Sequence, residues 1–205
     1  MTMRTNAPPA DNKTIAGFSI CPNENKFSFT DGDNGSLIIE GWLSVAGVAF
    51  PRHSDFQWMV EPGAFTDAVI REYMQKPIVL WMHDMMEIAV GKTLSIERRT
   101  TGGPANVGGA WIKVVLFSRD DKGNRNPDGE ALIAQIRNGI ICSFSYAWVS
   151  KRKTTEETVL DNGATRYLTI HQEYEYIQEV SICNLGMNEG AVFSVAESDK
   201  FKNEQ

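Results

Sequence analysis

Short apolar runs separated by turn-forming residues dominate the middle of the chain. Phe27 and Phe29 alternate with polar residues, the cluster 31–35 is typical of a turn, and 37–43 resumes with extended character. This pattern predicts a hairpin. Further strands are predicted by the apolar runs at 78–82, 111–117 and 140–149. The core is therefore expected to be mostly sheet.

Two segments change to helical spacing. The first covers 66 to about 75 and has to end before Pro77, because proline disfavours the helical conformation in the residue before it. The second covers 128–137, with Asp128 as its N-cap and Gly139 at the C′ position. Together the strands and helices predict a mainly β, α+β fold in which a few helices surround a sheet.

A long hairpin is the most informative local prediction. The segment 161–163 reads Asp-Asn-Gly between two extended runs, and Asn-Gly adopts the positive φ angles of a tight turn easily. A three-residue loop places Leu160 opposite Ala164 and, counted back along both strands, Ser145 opposite Glu179. A two-residue loop or a single bulge would change this register. In the three-residue register a hydroxyl and a carboxylate are cross-strand neighbours.

The two ends of the chain carry little apolar surface. Residues 1–13 are rich in Thr, Asn, Pro and Asp, and residues 197–205 form a charged tail. Such segments bury too little to offset the entropy lost on ordering. We therefore expect both ends to be flexible and to flank one domain at 14–196.

Composition and charge narrow the classes of function. The 205 residues are 42% hydrophobic and 22% charged, as in an ordinary globular protein. The net charge of −6 and the lack of basic runs argue against a nucleic-acid partner. The apolar runs are shorter than the roughly 18 residues of a membrane helix, and 1–13 lacks the apolar centre of a signal peptide. We expect a soluble, unexported chain with no membrane partner.

Cysteine and histidine spacing argues against metal sites. The three cysteines match neither a disulfide framework nor a CxxC motif, which favours a reducing compartment such as the cytoplasm. The three histidines have no partner at i+3 or i+4, so no metal and no organic cofactor is predicted. The glycine-rich segment 101–109 lacks the flanking strand and helix of a phosphate cradle and is predicted to be a loop. The cysteines are Cys21, Cys142 and Cys183, and the histidines are His53, His83 and His171.

Two isolated side chains are candidates for nucleophilic chemistry. Strand alternation in 142–148 puts Ser143, Ser145 and Ala147 on one face and the large side chains on the other. A small hydroxyl on the open face of a rigid strand suits a nucleophile, although a solvated face with two serines is the more common outcome. His83 follows an apolar strand, and imidazole can take a proton from a serine near neutral pH. A lone histidine among Trp and Met is more often a packing residue.

A carboxylate would complete such a group, because it orients the histidine and stabilises the imidazolium. Glu173, Glu175 and Glu179 share one face of the last strand, and an acidic solvated face is the default for each of them. The hairpin register favours Glu179. Two other chemistries are weaker, since Cys142 points to the face of large side chains and the cluster around His83 lacks metal-ligand spacing.

Five segments occur in an order that is known from one family. In chain order they are Gly41-Trp42-Leu43-Ser44 with Val48-Ala49-Phe50, Glu61-Pro62-Gly63-Ala64-Phe65, 77–84 with Val90-Gly91, 139–148, and Glu179-Val180-Ser181. In this order, over about 41–195, they resemble the tailed-bacteriophage prohead (capsid maturation) serine protease family. The chain departs from that pattern at 184–188, where the family usually has Pro-Ala-Asn, and at Ala147, where glycine is frequent.

The resemblance implies a fold, a reaction and a set of site residues. The fold would be an antiparallel barrel-like sheet similar to that of the herpesvirus assembly proteases. The reaction would be that of a serine endopeptidase, with Ser145 as nucleophile, His83 as general base and Glu179 as the group that orients His83. His171 is the alternative third member, since the herpesvirus enzymes have a second histidine in place of the acid.

The resemblance also implies a biological role. The substrate would be the scaffold protein or the scaffolding segment of the major capsid protein, and the protease itself, inside the immature procapsid in the host bacterial cytoplasm. The number of subunits stays open, a homo-oligomer included. The alternative is a non-catalytic, β-rich capsid-assembly or scaffold-binding protein on the same fold.

Overall fold

The computed structural model describes residues 29–193 except for 33–34, 53, 121, 187, 189 and 192. The predicted flexible ends, 1–13 and 197–205, lie outside the described residues, as do both limits of the predicted domain, Phe27, Cys21 and His53. Eight strands and two helices occur in the described part: β1 Phe29–Asp31, β2 Leu37–Val45, β3 Phe56–Val60, α1 Asp67–Tyr73, β4 Ile78–Trp81, β5 Gly91–Arg99, β6 Gly109–Leu116, α2 Pro127–Arg137, β7 Ser143–Val159 and β8 Thr165–Cys183.

The eight strands form one sheet that curls into a half-barrel, which confirms the prediction of a mainly β fold. The strand order is β1-β2-β6-β5-β4-β8-β3, and β7 pairs with β8 along nearly its whole length. Five of the seven pairings are antiparallel. The other two are parallel. Strand β3 pairs with the first half of β8, helix α1 follows, and β4 then pairs with the end of β8 in the same direction.

Both predicted helices are present, with one correction. Helix α1 begins after its N-cap Thr66 and ends at Tyr73, ahead of Pro77. Helix α2 is capped by Asn126 and not by Asp128, since the Asn126 side chain accepts a hydrogen bond from the Gly129 N–H. Pro127 takes the first helical position, where its missing N–H costs nothing, and this moves the helix start forward. Gly139 follows α2 with φ 68°, as predicted for a C′ glycine.

The sheet and the helices enclose one apolar core. Helix α2 buries Leu132, Ile133 and Ile136 on one face, as the spacing predicts, and α1 buries Val69 and Tyr73. The strand that carries the predicted nucleophile contributes its alternate, large side chains to the same core. This core makes β7 a rigid support for its other face.

Strands β3 and β5 are absent from the sequence prediction. In β5 the usual pattern of buried apolar and exposed polar residues is reversed, because Thr93 is buried and Leu94 is partly exposed. A register shift also lies between Thr93 and Ser95. The glycine-rich segment after β5 forms the loop to β6, as predicted. No helix in the described part of the chain is long and apolar enough to cross a membrane.

Candidate active site

Ser145 lies near the start of β7 on the less buried face. The residues on either side of it, Phe144 and Tyr146, are buried in the core, whereas Ser145 is half-buried. The alternation predicted for this strand is therefore confirmed at these positions, although β7 begins at Ser143 and not at residue 140. The strand backbone is held from both sides, since Phe144 N–H also bonds to the Ala191 carbonyl.

The loop of the long hairpin matches the prediction, but the register near the site does not. Leu160 N–H donates to the Ala164 carbonyl, and Lys153 pairs with His171, both as the three-residue loop requires. Irregularities at four places between Ala147 and Lys153 then change the pairing. As a result, at Ser145 the pairing of β7 with β8 differs by two residues from the predicted register.

The prediction that Ser145 pairs with Glu179 is consequently wrong. Ser145 faces Ser181, and Glu179 faces Ala147. A shift of two residues preserves the side-chain face, because successive side chains point to opposite faces of a strand. Glu179 therefore still lies on the same face of the sheet as Ser145.

His83 lies in a tight turn directly after β4. Met82 and His83 have φ angles of 57° and 61°, and Asp84 N–H donates to the Trp81 carbonyl at 3.1 Å. Two left-handed central residues are the mark of a type I′ turn, which usually contains Asn and Gly. A left-handed conformation costs a non-glycine residue about 1–2 kcal/mol. The surrounding contacts hold this turn, and it places the imidazole above β7 and β8.

The three predicted residues form a continuous hydrogen-bonded chain. His83 Nε2 lies 2.9 Å from Ser145 Oγ, and His83 Nδ1 lies 2.5 Å from Glu179 Oε1. The Glu179 side chain is only 1% exposed, whereas that of His83 is 40% exposed. The carboxylate is thus shielded from water beneath the imidazole, and the serine is reached from solvent.

The surroundings of His83 favour its protonated form. The hydrogen bond with Cys183, followed by the hydrogen bond with Glu179, holds the pKa of His83 well above the ordinary 6.5, against the opposing effect of burial. The raised pKa increases the share of protonated imidazole at neutral pH. Since only the neutral ring can accept the Ser145 proton, the reactive fraction grows as the pH rises.

For any reaction in which Ser145 is the nucleophile, this shift predicts a rate that rises with pH. Reaction at Ser145 should increase with pH through a midpoint clearly above 6.5, and Cys183→Ala should move that midpoint down. Cys142→Ala is the matched control, because Cys142 is also buried but takes no part in the pKa of His83. Rates measured from pH 5 to about 11 for the three proteins check this, because the pKa of His83 is raised to about 10. An unchanged midpoint in Cys183→Ala would contradict the role of Cys183, and a wild-type midpoint near 6.5 would contradict the raised pKa.

The raised pKa of His83 also makes the stability of the fold depend on pH. A histidine whose pKa is raised in the folded state stabilises that state fully below its unfolded pKa of about 6.5. The contribution is lost as the pH rises through the raised folded pKa. The neutral imidazole, which can accept the Ser145 proton, therefore increases over the same pH range in which protonated His83 stops stabilising the fold.

The strained turn gives a prediction for stability. Met82 is half exposed, so replacing it changes backbone strain more than packing. Met82→Gly should leave the free energy of unfolding within about 1 kcal/mol of wild type, because glycine accepts positive φ. Met82→Val should destabilise by about 1–2 kcal/mol, because a β-branched residue does not. Urea unfolding of both variants measures the difference, and equal stability would show that the turn is unstrained.

His171, the alternative third member, lies away from this site. Its Nδ1 lies 2.6 Å from Ser150 Oγ, and its Nε2 is buried without a hydrogen-bond partner. Burial and the nearby Lys153 lower its pKa. Lys153, its strand partner, is eight residues from Ser145 along β7, which is roughly 27 Å at about 3.4 Å per residue. His171 therefore belongs to the packing around Trp148 and Tyr174.

The other candidates also lie outside the hydrogen-bonded chain. Glu173 pairs with Lys151 at 2.7 Å on the surface, and Ser143 is buried opposite Cys183. Among the described residues, no group of three or more His, Cys, Asp and Glu side chains could hold a metal ion. The sequence analysis assigns no role to Ser181 or Cys183. Both lie at alternate positions from Glu179 on the same strand, so strand alternation alone places them on the face that carries Glu179.

The chain was compared with known proteins in three ways. A scan against models of protein families, a search of curated proteins and a search of solved structures each found no match.

Proposed function

We propose that the protein is a serine endopeptidase that acts through Ser145, His83 and Glu179. The observation that carries the proposal is the relay of two hydrogen bonds, 2.9 Å from Ser145 Oγ to Nε2 and 2.5 Å from Nδ1 to Glu179 Oε1. A hydroxyl, an imidazole and a buried carboxylate in this order form the arrangement that activates a serine. These are the three residues that the sequence predicts for the site.

In the proposed reaction Ser145 Oγ attacks the carbonyl carbon of the scissile peptide, and its proton passes to His83 Nε2. The resulting imidazolium is stabilised by Glu179 through Nδ1–H. His83 then gives the proton to the leaving amine as the C–N bond breaks, which leaves an acyl-enzyme on Ser145. In the second half of the reaction His83 takes a proton from water as the water oxygen attacks the acyl carbon. His83 then returns that proton to Ser145 Oγ as the ester C–O bond breaks, which releases the acid and the free serine.

The different burial of Glu179, His83 and Ser145 supports the role proposed for each of them. Glu179 is enclosed and His83 is partly open, so the carboxylate interacts with the imidazole without competition from water. Ser145 stands on a strand whose opposite face is fixed in the core. A nucleophile on such a strand keeps its geometry while a substrate binds.

The substrate in this proposal comes from the family resemblance. We propose that the protein belongs to the prohead protease type and is similar in fold to the herpesvirus assembly proteases, although two of its seven strand pairings are parallel and the sheet is therefore mixed and not purely antiparallel. It would cleave the scaffold protein or the scaffolding segment of the major capsid protein, and itself, in the immature procapsid within the host bacterium. The five ordered segments at 41–195 support this assignment.

Co-expression tests the function as a whole. The full chain is produced in bacteria together with a phage major capsid protein or scaffold protein, and both chains are analysed by intact mass spectrometry. We expect discrete cleavage products with wild type and with Ser143→Ala, and none with Ser145→Ala. Products that persist with Ser145→Ala, or a partner that stays intact with wild type, would contradict the proposal.

A further inference from the structure

A second serine connects two members of the proposed relay. Ser181 lies on β8 and is fully buried. Its Oγ accepts a hydrogen bond from the His83 backbone N–H at 3.1 Å and donates one to Glu179 Oε2 at 2.5 Å. It also faces Ser145 across the β7–β8 ladder. One hydroxyl therefore contacts the main chain of the base and the carboxylate that orients it.

The bond to His83 acts at a strained position. The left-handed φ of 61° at His83 is unfavourable for a non-glycine residue, so the turn needs contacts that favour it. Ser181 supplies one of them at the backbone N–H of His83 itself, and Met82 N–H donates to the Ile182 carbonyl beside it. Without the Ser181 hydroxyl the imidazole would rest on a less constrained main chain.

The bond to Glu179 acts on the oxygen that His83 does not use. Oε1 faces the imidazole and Oε2 faces Ser181, so the two contacts fix the plane of the carboxylate. A buried carboxylate oxygen that loses its donor is destabilised as an anion. The carboxylate would then turn, or take up a proton, and would orient the imidazole less well.

From this geometry we propose that Ser181 is a positioning residue of the hydrolytic site, acting through His83 and Glu179. This inference rests on the proposed function. Ser181 itself transfers no proton to the substrate and forms no bond with it. Its hydroxyl sets the distance and angle at which Nε2 meets Ser145, and small displacements of such groups cost about 10²-fold in rate.

The test uses a fluorophosphonate, which reacts with the activated serine without a known substrate. We expect Ser181→Ala to lower the maximal labelling rate about 10–100-fold while the half-saturating probe concentration changes less than about twofold. Ser181→Thr keeps a hydroxyl and should restore the rate to within a few fold of wild type. Ser143→Ala is the matched control, since it removes a buried serine hydroxyl from the neighbouring strand.

A double-mutant cycle separates positioning from a general structural effect. If Ser181 acts through the carboxylate, Ser181→Ala should slow labelling much less in a Glu179→Gln background than in wild type. Equal losses in both backgrounds would overturn the action of Ser181 through Glu179, and a wild-type rate in folded Ser181→Ala would overturn the positioning role as a whole, while wild-type labelling still supports the protease. A wild type that is not labelled would overturn the proposed function and this inference together.

Discussion

Ser145→Ala is expected to lower the rate of peptide cleavage by about 10⁶-fold and to leave the fold intact. The change removes the one oxygen that attacks the carbonyl, and His83 and Glu179 cannot replace it. The site is half-buried on a strand that is held by the core, so no large cavity forms. Cleavage of the capsid or scaffold protein by purified protein, followed by mass spectrometry, measures the loss.

Ser143→Ala is the matched control for this prediction. Ser143 lies two residues earlier on β7 and faces Cys183, outside the hydrogen-bonded chain of His83. Its replacement should change the cleavage rate by only a few fold. If Ser143→Ala were the inactive protein and Ser145→Ala retained activity, the nucleophile would have been assigned to the wrong serine.

Glu179→Gln is expected to slow cleavage by about 10⁴-fold, the order seen when the acid of a serine triad is made neutral. The buried carboxylate lies 2.5 Å from His83 Nδ1, so it fixes the proton on that nitrogen and stabilises the imidazolium. An amide fits the same space but has no charge, and it can donate to Nδ1. The wrong tautomer, with Nε2 protonated, cannot accept the Ser145 proton.

The comparison with His171→Ala makes this prediction specific. His171 bonds to Ser150 and has no contact with the relay, so its replacement should slow cleavage by less than about tenfold once the protein is folded. Circular dichroism and urea unfolding establish that both variants are folded. A larger loss in His171→Ala than in Glu179→Gln would transfer the role of third member to His171.

The sequence predicted those parts of the structure that depend on local pattern. Alternation around Ser145 identified the two faces of β7, and the Asp-Asn-Gly segment identified the hairpin loop. The position of His83 directly after an apolar strand was also predicted. Each of these signals spans only a few residues, within which periodicity and turn chemistry determine the backbone.

What the sequence missed depends on contacts between distant segments. The shift that puts Ser145 opposite Ser181 arises from irregularities along β7, and nothing in the local residue pattern specifies them. Glu179 still lies on the same face as Ser145, because a shift of two residues preserves the face. The left-handed turn at Met82 and His83 was likewise not predictable, since neither residue type favours it and tertiary hydrogen bonds to β8 hold it.

Labelling with a fluorophosphonate tests most directly whether the relay activates Ser145 as a nucleophile. Wild type at pH 8–9 is treated with the probe, and the adduct is located by intact mass and peptide mapping, with Ser145→Ala and His83→Ala treated in parallel. We expect one adduct on Ser145 in wild type, no adduct in Ser145→Ala, and a greatly slowed reaction in His83→Ala. Folded wild type that stays unmodified, or is modified at another residue, would contradict the activation of Ser145.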